Sequence, residues 1–506
     1  MSADSAAART PSSLSGFTAG STFTQSLPGT LVYLAPLIAL LLPIASHWFS
    51  QHGAMLLGLG LIGIWRYSWA SAHYLRAWIY RAYRFPMIRA ATDPQRDRFD
   101  HVAVLITSFR IDAEVNAAVY AALFRELLDY GARATVVACV TDPADAQLLQ
   151  AVGRACGCDG RMDVMVMAQA GLGKRHAMGR ALRHLASRSL PSNAAVVLMD
   201  GDTLLRAGTL ERCLPVLQRN PQVGAITTDN LPLVRGTAIS REWYRLRMAQ
   251  RHLLMCSISL SNRLLVLTGR FSVFRASVAC QPGFASQIAE DEVKHWRFGS
   301  IQMLSGDDKS SWYWVLSRGW KMLYVPDVTV YCLEELPSKS FFAGTTSLMK
   351  RWFGNMVRNS GRALDLGAKR TGVFPWFALL DQRLSLWTAL VGPTLCLALT
   401  ALQGPQVLVL YLIWVIFVRS VQALLIGLFA GRFNVWFPLL LYYGQMVGSA
   451  VKIWATFHPN VQKWTRQSIS GADATPRASS TLLMWLTLLV FVAGVIVIGG
   501  VLDRAL

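Results

Sequence analysis

The stretch AAVVLMDGD (194–202) decides the fold, because a continuous apolar run ends there abruptly in two carboxylates. Such a run is typical of a strand that is covered on both faces of a parallel sheet. Comparable runs, separated by helical stretches, lie at HVAVLITSF (101–109), ATVVACVTD (134–142), MDVMVMAQ (162–169) and VGAITTDN (223–230). This alternation predicts an α/β fold with a doubly wound, mostly parallel sheet that binds ligands at the carboxyl ends of its strands.

Polar residues follow three of these runs directly, namely Thr107, Asp142 and the pair Asp200 and Asp202. An Asp-x-Asp sequence alone is a weak signal, because a solvated turn has the same composition. At the end of a buried strand it favours a site where Mg²⁺ (or Mn²⁺) meets a diphosphate. We expect Asp202 to ligate the metal, whereas Asp200 either shares the metal or holds a ribose or sugar. Asp142 either binds a nucleotide base or ribose or belongs to a plain Asp-Pro turn.

A second acidic pair, Asp307 and Asp308, follows Gly306 and opens the amphipathic segment KSSWYWVLSRG (309–319). Asp is a favourable residue at a helix start, so a structural role competes with a chemical one. A carboxylate at that position in a cleft can also take the proton from an incoming hydroxyl group, as inverting sugar transfer requires. We therefore expect Asp308 to be a general base, with Asp307 beside it.

Two basic segments complete the set of candidate residues. GLGKRHAMGRAL (171–182) lacks the spacing of a Walker phosphate loop, so Lys174 and Arg175 either meet a nucleotide phosphate or form a solvated basic turn. Arg351 and Trp352 fall in an amphipathic stretch, where a Trp is more often a membrane anchor than a sugar platform. In the company of the acidic motifs, Arg351 is suited to hold a diphosphate and Trp352 to stack on an acceptor sugar.

The composition indicates a membrane protein with one large soluble domain. The chain has 506 residues, of which 53% are hydrophobic and only 15% charged, and its formal net charge is +20. No zinc-finger, helix-turn-helix or RNA-binding signature accompanies this charge, so we expect no nucleic acid partner. The eight cysteines are scattered without the spacing of a zinc site, which is typical of reduced thiols in a cytoplasmic domain.

The apolar stretches predict the order of segments along the chain. A disordered tail (1–30) precedes two spans within 31–72, and a basic linker (73–100) with six Arg places the following side in the cytoplasm. The α/β domain covers 101–335 and interfacial helices cover 336–370. In the membrane region 371–506 we expect spans near 376–402, 406–430 and 481–502, while 435–456 is either interfacial or a further span.

Arg419 falls inside the apolar stretch 406–430. An ionisable residue at that depth normally faces the interior of a helix bundle or a polar path. It either lines a channel for a charged polymer or forms a polar tie between helices.

The order of these motifs resembles the membrane-embedded, processive, inverting glycosyltransferases of family 2. The matching positions are Asp142, Asp200 with Asp202, Thr268-Gly269, Asp307 with Asp308, and Arg351-Trp352. Leu348 stands where the family's Q-x-x-R-W motif has Gln, so the polar contact of that Gln is either lost or supplied by another residue. The resemblance implies a GT-A-type sheet inserted between transmembrane helices, an acceptor segment at Thr268 and Gly269, and a multi-pass protein of the bacterial inner membrane.

A W-T-R element at Trp464, Thr465 and Arg466 has a counterpart in chitin and hyaluronan synthases. There it is a cytoplasmic loop near the diphosphate, so the resemblance implies that Trp464 and Arg466 bind the donor. In that case 435–456 is interfacial, the number of spans is odd and the C-terminus is periplasmic. Hydropathy alone would instead count six spans.

Several longer stretches resemble one branch of that family, the catalytic subunits of bacterial alginate synthases. They are TSFRIDA (107–113), which contains Thr107 and Arg110, IWRYS (64–68), QRHLLMCSISLSNRLL (250–265), TGRFSVFRAS (268–277), SGDDKSSW (305–312), KRWFGN (350–355) and WTRQ (464–467). This resemblance implies polymerisation of GDP-mannuronic acid into poly-β-1,4-mannuronate, with donor contacts from Thr107 and Arg110. It also implies a separate inner-membrane partner subunit that binds cyclic di-GMP. A synthase that uses a UDP-sugar and a non-processive transferase acting on a lipid carrier are the alternatives.

Overall fold

The structure is a computed structural model that describes residues 17–18, 53–169, 172–462 and 478–504. The predicted span at 31–49 and the residues Trp464 and Arg466 lie outside these ranges. The strands, in chain order, are β1 His101–Thr107, β2 Arg133–Val140, β3 Asp163–Ala168, β4 Ala194–Asp200, β5 Thr203–Leu204, β6 Val223–Arg235, β7 Phe271–Arg275, β8 Glu292–His295, β9 Gly299–Gln302 and β10 Lys321–Glu335.

Eight of these strands form one mixed sheet in the order β3-β2-β1-β4-β7-β6-β10-β5, and β8 and β9 form a separate hairpin. Neighbours are parallel from β3 through β4 and between β6 and β10, whereas β7 runs antiparallel to both of its neighbours. Consecutive residues of β4 are buried from Ala194 to Met199, which means that both faces of the sheet are covered. The predicted GT-A-type, mostly parallel α/β fold is therefore confirmed.

The helices in the first part of the chain are α1 Gly53–Ile79, α2 Phe85–Ala90, α3 Ala113–Tyr130, α4 Pro143–Ala155, α5 Lys174–Ser187, α6 Thr209–Arg219, α7 Ala238–Ser259, α8 Ala276–Ala279 and α9 Pro282–Ala289. They are followed by α10 Asp307–Ser317, α11 Phe341–Asp365, α12 Gly367–Thr371, α13 Val373–Gln403, α14 Gln406–Ala430, α15 Phe437–Phe457 and α16 Ala478–Arg504.

Among the described residues, two helices are long and apolar enough to cross a membrane, namely α13 and α14. They coincide with the spans expected near 376–402 and 406–430. The helix α16 contains a shorter apolar part, Ser480–Val495. The segment expected as a basic linker is helical over much of its length, because α1 continues through a π-helical turn at Tyr80–Arg84 into α2.

A buried ionic cluster joins the sheet to the connection between α14 and α15. Asp229 on β6 is 5% exposed, accepts hydrogen bonds from the Arg432 guanidinium (2.6 Å) and the Tyr324 hydroxyl (2.9 Å), and lies 3.2 Å from His252 Nδ1. Burial raises the pKa of Asp229, but the positive charge of Arg432, the charge of His252 and the hydrogen bonds from His252 and Tyr324 together outweigh it and leave the pKa well below its usual range. The carboxylate therefore stays charged, and it fixes this connection to the sheet.

Close packing of α5 against α9 depends on Gly179. A Cβ atom at this position would lie 2.6 Å from the Cβ of Ala289 and 3.3 Å from the carbonyl oxygen of Ala285. We expect Gly179→Ala to lower the free energy of unfolding by about 1–3 kcal/mol, because neither contact can move without shifting a helix. The measurement is the thermal unfolding midpoint of the purified protein.

Gly153 provides the matched control, since it also lies within a helix but its added Cβ would meet only the Phe124 ring at an ordinary 3.6 Å. Gly153→Ala should be neutral or stabilising by up to ~1 kcal/mol, because Ala favours helix more than Gly does. Equal midpoints for the two variants would contradict the packing argument.

Candidate active site

The turn after β4 places two carboxylates beside the end of β1. Asp200 pairs with Thr107 across the two strands, and the Gly201 amide donates to the Thr107 carbonyl oxygen at 2.8 Å. A Cβ atom on Gly201 would lie only 2.8 Å from that same oxygen. Glycine is therefore required between the two Asp residues, and the turn presents both side chains at the carboxyl edge of the sheet.

A cleft opens at this edge, and we call it the strand-end cleft. Its lining includes Asp200, Asp202, Lys174 and the residues that end β1 and β2, namely Thr107, Ser108, Cys139 and Thr141. This location at the carboxyl ends of adjacent strands is the one that the sequence predicted for a ligand.

Lys174 connects the two acidic motifs. Its ammonium group lies 2.6 Å from Oδ1 of Asp200 and 2.7 Å from Oδ2 of Asp307. A Cβ atom on Gly269 would lie 3.4 Å from Lys174 Nζ and from Asp200 Oδ2, so this backbone passes directly over the pair. Burial lowers the pKa of Lys174, but the two carboxylates outweigh it and raise the pKa above its usual range. The ammonium therefore stays charged and holds both motifs together.

Asp202 is held from the other side by a residue that the sequence analysis missed. Its carboxylate pairs with the guanidinium of Arg270, which also binds Oε1 of Glu334 at 2.6 Å. Burial lowers the pKa of Arg351, and the charge of Arg270 lowers it further, which places the two guanidinium groups in one neighbourhood. Arg270 follows Gly269 in the quoted segment TGRFSVFRAS, so its position in the sequence was a signal that could have identified it.

Asp307 and Asp308 start α10 and have different environments. Gly306, with φ of +84°, turns the chain into the helix, and Asp307 is 5% exposed. Burial raises the pKa of Asp307, but the charge and hydrogen bond of Lys174, together with the charge of Arg175, outweigh it and leave that pKa lowered. Asp308 is half-buried and accepts the Lys309 amide at 2.8 Å. Burial, together with the charge of Asp307, raises the pKa of Asp308, as suits a proton acceptor.

A second cavity of about 1270 Å³ begins at these residues, and we call it the central cavity. Asp308, Gly269 and Thr268 line it near the sheet, Arg351 and Trp352 line it from α11, and it extends to Arg419 on α14 and Gln445 on α15. Lys174 and Asp200 line both this cavity and the strand-end cleft. A molecule in one space would therefore meet a molecule in the other at these two residues.

Arg175 does not face either space, in contrast to our expectation that it meets a phosphate. It is 4% exposed, and its guanidinium lies 3.0 Å from Ser310 Oγ and 3.8 Å from Asp291, which also pairs with Arg362 at 2.7 Å. Successive helix residues point in directions about 100° apart, so Lys174 and Arg175 cannot share a target. Arg175 instead ties α5 to α10.

Two further predicted donor residues lie at the same edge of the sheet but do not line the cleft. Asp142 caps α4 by accepting the Ala144 amide at 2.9 Å, which is the structural alternative for this residue. Arg110 adopts a left-handed φ of +50°, and its guanidinium lies 5.1 Å from the centre of the Phe109 ring.

The acceptor candidates Trp352 and Thr268 and the channel candidate Arg419 also have partners within the protein. Trp352 stacks on the buried Trp243, with ring centres 5.6 Å apart and planes within 9°, so one face of its indole is already covered. Thr268 is buried, and its hydroxyl lies 3.1 Å from that of Thr227. The Arg419 guanidinium donates to the amide oxygens of Gln422 and Gln445. These residues line the central cavity, but the hydroxyl of Thr268 is already used internally.

The carboxylates of the strand-end cleft fit a divalent cation. Among the described residues, no group of three His, Cys, Asp or Glu side chains forms a complete metal site. Asp200 and Asp202 nevertheless keep 25% and 19% of their side chains exposed. Mg²⁺ commonly binds one or two carboxylates and takes its other ligands from water and substrate phosphates. Because Lys174 and Arg270 are each shared between two carboxylates, negative charge remains for a cation to offset.

Comparisons with known proteins agree with this geometry. Residues 100–355 match the family described as "Glycosyltransferase like family 2". The chain is 38% identical over 448 residues to "Glycosyltransferase alg8" of Pseudomonas syringae pv. tomato, covering 87% of this chain and 90% of that protein. It is 36% identical over 444 residues to the protein of the same name from Azotobacter vinelandii, with the same two shares covered.

Solved structures with a similar arrangement are more distant. The mannosyltransferase PcManGT from Pyrobaculum calidifontis, in complex with GDP-Man and Mn²⁺, aligns with a TM-score of 0.45 and 16% identity. The alignment covers 76% of this chain and 97% of that one. GalNAc-T7 with UDP, GalNAc and Mn²⁺ aligns with a TM-score of 0.31 and 12% identity, covering 53% of this chain and 52% of that one.

The structural role of Arg175 can be tested by stability. Arg175→Met should lower the free energy of unfolding by about 2 kcal/mol, because it removes the hydrogen bonds of the guanidinium to Ser310 Oγ and to the carbonyl oxygens of Ser305 and Gln287 in a buried place. The thermal midpoint of the purified protein measures this loss. Arg180→Met is the control, since Arg180 is exposed and, among the described residues, donates a hydrogen bond to the Ala168 carbonyl oxygen alone. A phosphate-binding Arg175 would instead change donor affinity without a loss of stability.

Proposed function

The chain belongs to the glycosyltransferase family 2, and from this premise we propose that it polymerises GDP-mannuronic acid into poly-β-1,4-mannuronate. Its activity is sugar transfer from a nucleotide donor, and the proposal adds the donor, the polymer and processive elongation. The observation that carries the proposal is the position of Lys174 between Asp200 and Asp307, where the strand-end cleft and the central cavity meet. One space then suits the donor and the other the growing chain.

The donor binds in the strand-end cleft. Thr107 and the end of β2 surround the nucleotide, and Lys174 and Arg351 lie near the diphosphate. Further candidates for donor binding are Arg110, Asp142, Trp464 and Arg466. Asp202 and Asp200 would hold Mg²⁺ or Mn²⁺, and the metal would supply positive charge for the leaving diphosphate. Arg270 orients Asp202 through their ion pair, so it acts through Asp202.

The acceptor end of the polymer lies in the central cavity, against Gly269 and Trp352. Asp308 takes the proton of the terminal 4-hydroxyl group, and that oxygen attacks the anomeric carbon from the face opposite the diphosphate. A new glycosidic C–O bond forms, the bond between the anomeric carbon and the diphosphate breaks, and GDP leaves. The configuration at the anomeric carbon is inverted, and the polymer is longer by one sugar.

The membrane helices then carry the product outward. The central cavity extends from Asp308 to Arg419 and Gln445, between helices that include both candidate spans, α13 and α14. In this proposal the protein is a multi-pass protein of the bacterial inner membrane with its catalytic domain in the cytoplasm. A separate inner-membrane subunit that binds cyclic di-GMP controls it.

Donor screening with purified membranes tests the proposal. We expect incorporation from GDP-mannuronic acid into a long product that alginate lyase digests, and none from UDP-sugars. Asp308→Asn should reduce polymer formation by roughly 10²- to 10⁴-fold, because the proton acceptor is lost, while protein level and membrane insertion stay unchanged. Asp159→Asn, an exposed carboxylate outside both spaces, is the matched control.

The outcomes separate the alternatives. Polymer made from a UDP-sugar would keep the reaction class and change the donor, whereas a single sugar added to a lipid would exclude processive elongation. Polymer formation by Asp308→Asn at the wild-type rate would remove the assignment of the base.

The raised pKa of Asp308 predicts the pH dependence of the rate. A general base works only when ionised, so activity is present above the raised pKa and is lost as the pH falls through it. Lys309 lowers the pKa of Asp308, so Lys309→Met should move the acidic limb of the rate profile to higher pH. Initial rates at saturating donor measure this shift. Lys294→Met, on the exposed side of β8, is the control. If the acidic limb of the rate profile lay at the same pH in both variants, the assignment of Asp308 as the base would be contradicted.

A further inference from the structure

Two cationic side chains from different parts of the fold meet at one aromatic ring in the central cavity. The guanidinium carbon of Arg247, on α7, lies 5.3 Å from the centre of the Phe353 ring, and the ammonium of Lys452, on α15, lies 4.7 Å from it. All three residues line the central cavity, and both cations are half-buried.

Neither cation forms an ion pair with a carboxylate within the part of the chain that the structure describes. Arg247 makes a long hydrogen bond of 3.4 Å to Gln250 Oε1. Asp381 acts on Lys452, but it is already ion-paired with Arg66 at 2.5 Å. Burial lowers the pKa of Arg247 to about 10, which shows how poorly solvated its charge is. Two like charges held close together in a partly desolvated cavity wall are unfavourable, and an anion between them would reduce that cost.

The aromatic ring alone does not account for this pair. A ring attracts a cation through its quadrupole but carries no net charge, so it cannot cancel the repulsion between two cations. At Lys350, by contrast, a single cation lies beside an aromatic ring. Its exposed ammonium is 4.7 Å from the centre of the Trp454 ring, and neither residue lines the central cavity.

The central cavity as a whole has an excess of positive charge. Among the described residues that line it, nine are Arg or Lys, and four are Asp or Glu. Two of those four carboxylates, Asp200 and Asp307, are paired with Lys174, and Glu334 is paired with Arg270. Farther along, the Arg419 guanidinium donates to the neutral amide oxygens of Gln422 and Gln445. A neutral polysaccharide would leave these charges uncompensated, whereas a polymer with one carboxylate per sugar would match them.

We propose that Arg247, Lys452 and the Phe353 ring form a carboxylate-binding subsite, the Phe353 subsite, for a uronate unit of the growing chain. This inference rests on the proposed function and adds the residues that select an anionic product. The two cations bind the carboxylate, and the ring packs against them from within the cavity wall. Arg247 and Lys452 thereby determine specificity without taking part in the bond-forming step.

Competition by short oligomers tests the Phe353 subsite. Oligomannuronate and a neutral β-1,4-linked mannan oligomer of equal length are added to the purified full-length protein in nanodiscs, and binding is measured directly. Arg247→Gln and Lys452→Gln should each weaken oligomannuronate binding by about 10-fold, as expected for the loss of one charged hydrogen-bonding partner. Binding of the neutral oligomer and the KM for the donor should not change. Lys350→Gln is the matched control and should bind both oligomers like the wild type.

The binding measurement separates this inference from the proposed function. If wild-type membranes do not use GDP-mannuronic acid, the proposed function fails, but preferential binding of the charged oligomer still tests the subsite. The proposed subsite is wrong if the wild type binds both oligomers equally well. It is also wrong if the Gln variants lower the affinities for the two oligomers by the same factor.

Charge-conserving variants decide the outcome if the Gln variants do not fold. Arg247→Lys and Lys452→Arg keep the charge and should retain at least half of the preference for oligomannuronate. In the wild type, added salt should weaken binding of the charged oligomer and leave the neutral one unaffected, because screening acts only on the charged ligand. A preference that is insensitive to salt would overturn the proposal.

Discussion

A single ammonium group holds the candidate active site together. Lys174 contacts Asp200 from the end of β4 and Asp307 from the start of α10, two segments that are far apart in the chain. Without it, two poorly solvated carboxylates would repel each other, and one would have to take up a proton or move away. The same contact lies where the strand-end cleft meets the central cavity. The geometry of this candidate site therefore depends on where α5 begins, because Lys174 is its first residue.

The ends of the strands and of the helix that carry the acidic residues were predictable from the sequence, and these residues make up most of the candidate site. The apolar run before Asp200 required a buried strand, and Asp202 then had to lie at its carboxyl end. Gly306 before Asp307 indicated a helix start. The structure brings these groups together because the ends of parallel strands share one edge of a sheet.

The contacts that the sequence did not predict depend on side-chain direction and on distant neighbours. Arg175 was grouped with Lys174, but helical geometry turns it toward Ser310 and Asp291. The ion pair of Asp202 with Arg270 joins two strands whose adjacency depends on β7 running antiparallel beside β4. The stacking of Trp352 on Trp243 requires knowledge of how α11 packs against α7. No local pattern contains this information.

The buried cluster around Asp229 limits how relatives of this protein can exchange parts. Its members come from β6, α7, β10 and the connection after α14, so Asp229, His252, Tyr324 and Arg432 form one unit although they are dispersed along the chain. A hybrid that takes the catalytic sheet from one parent and the membrane helices from another would separate the Asp229 carboxylate from the Arg432 guanidinium. Such a hybrid should keep this buried ion pair only when both the carboxylate and the guanidinium are present in it, so the two regions have to be matched at these four positions.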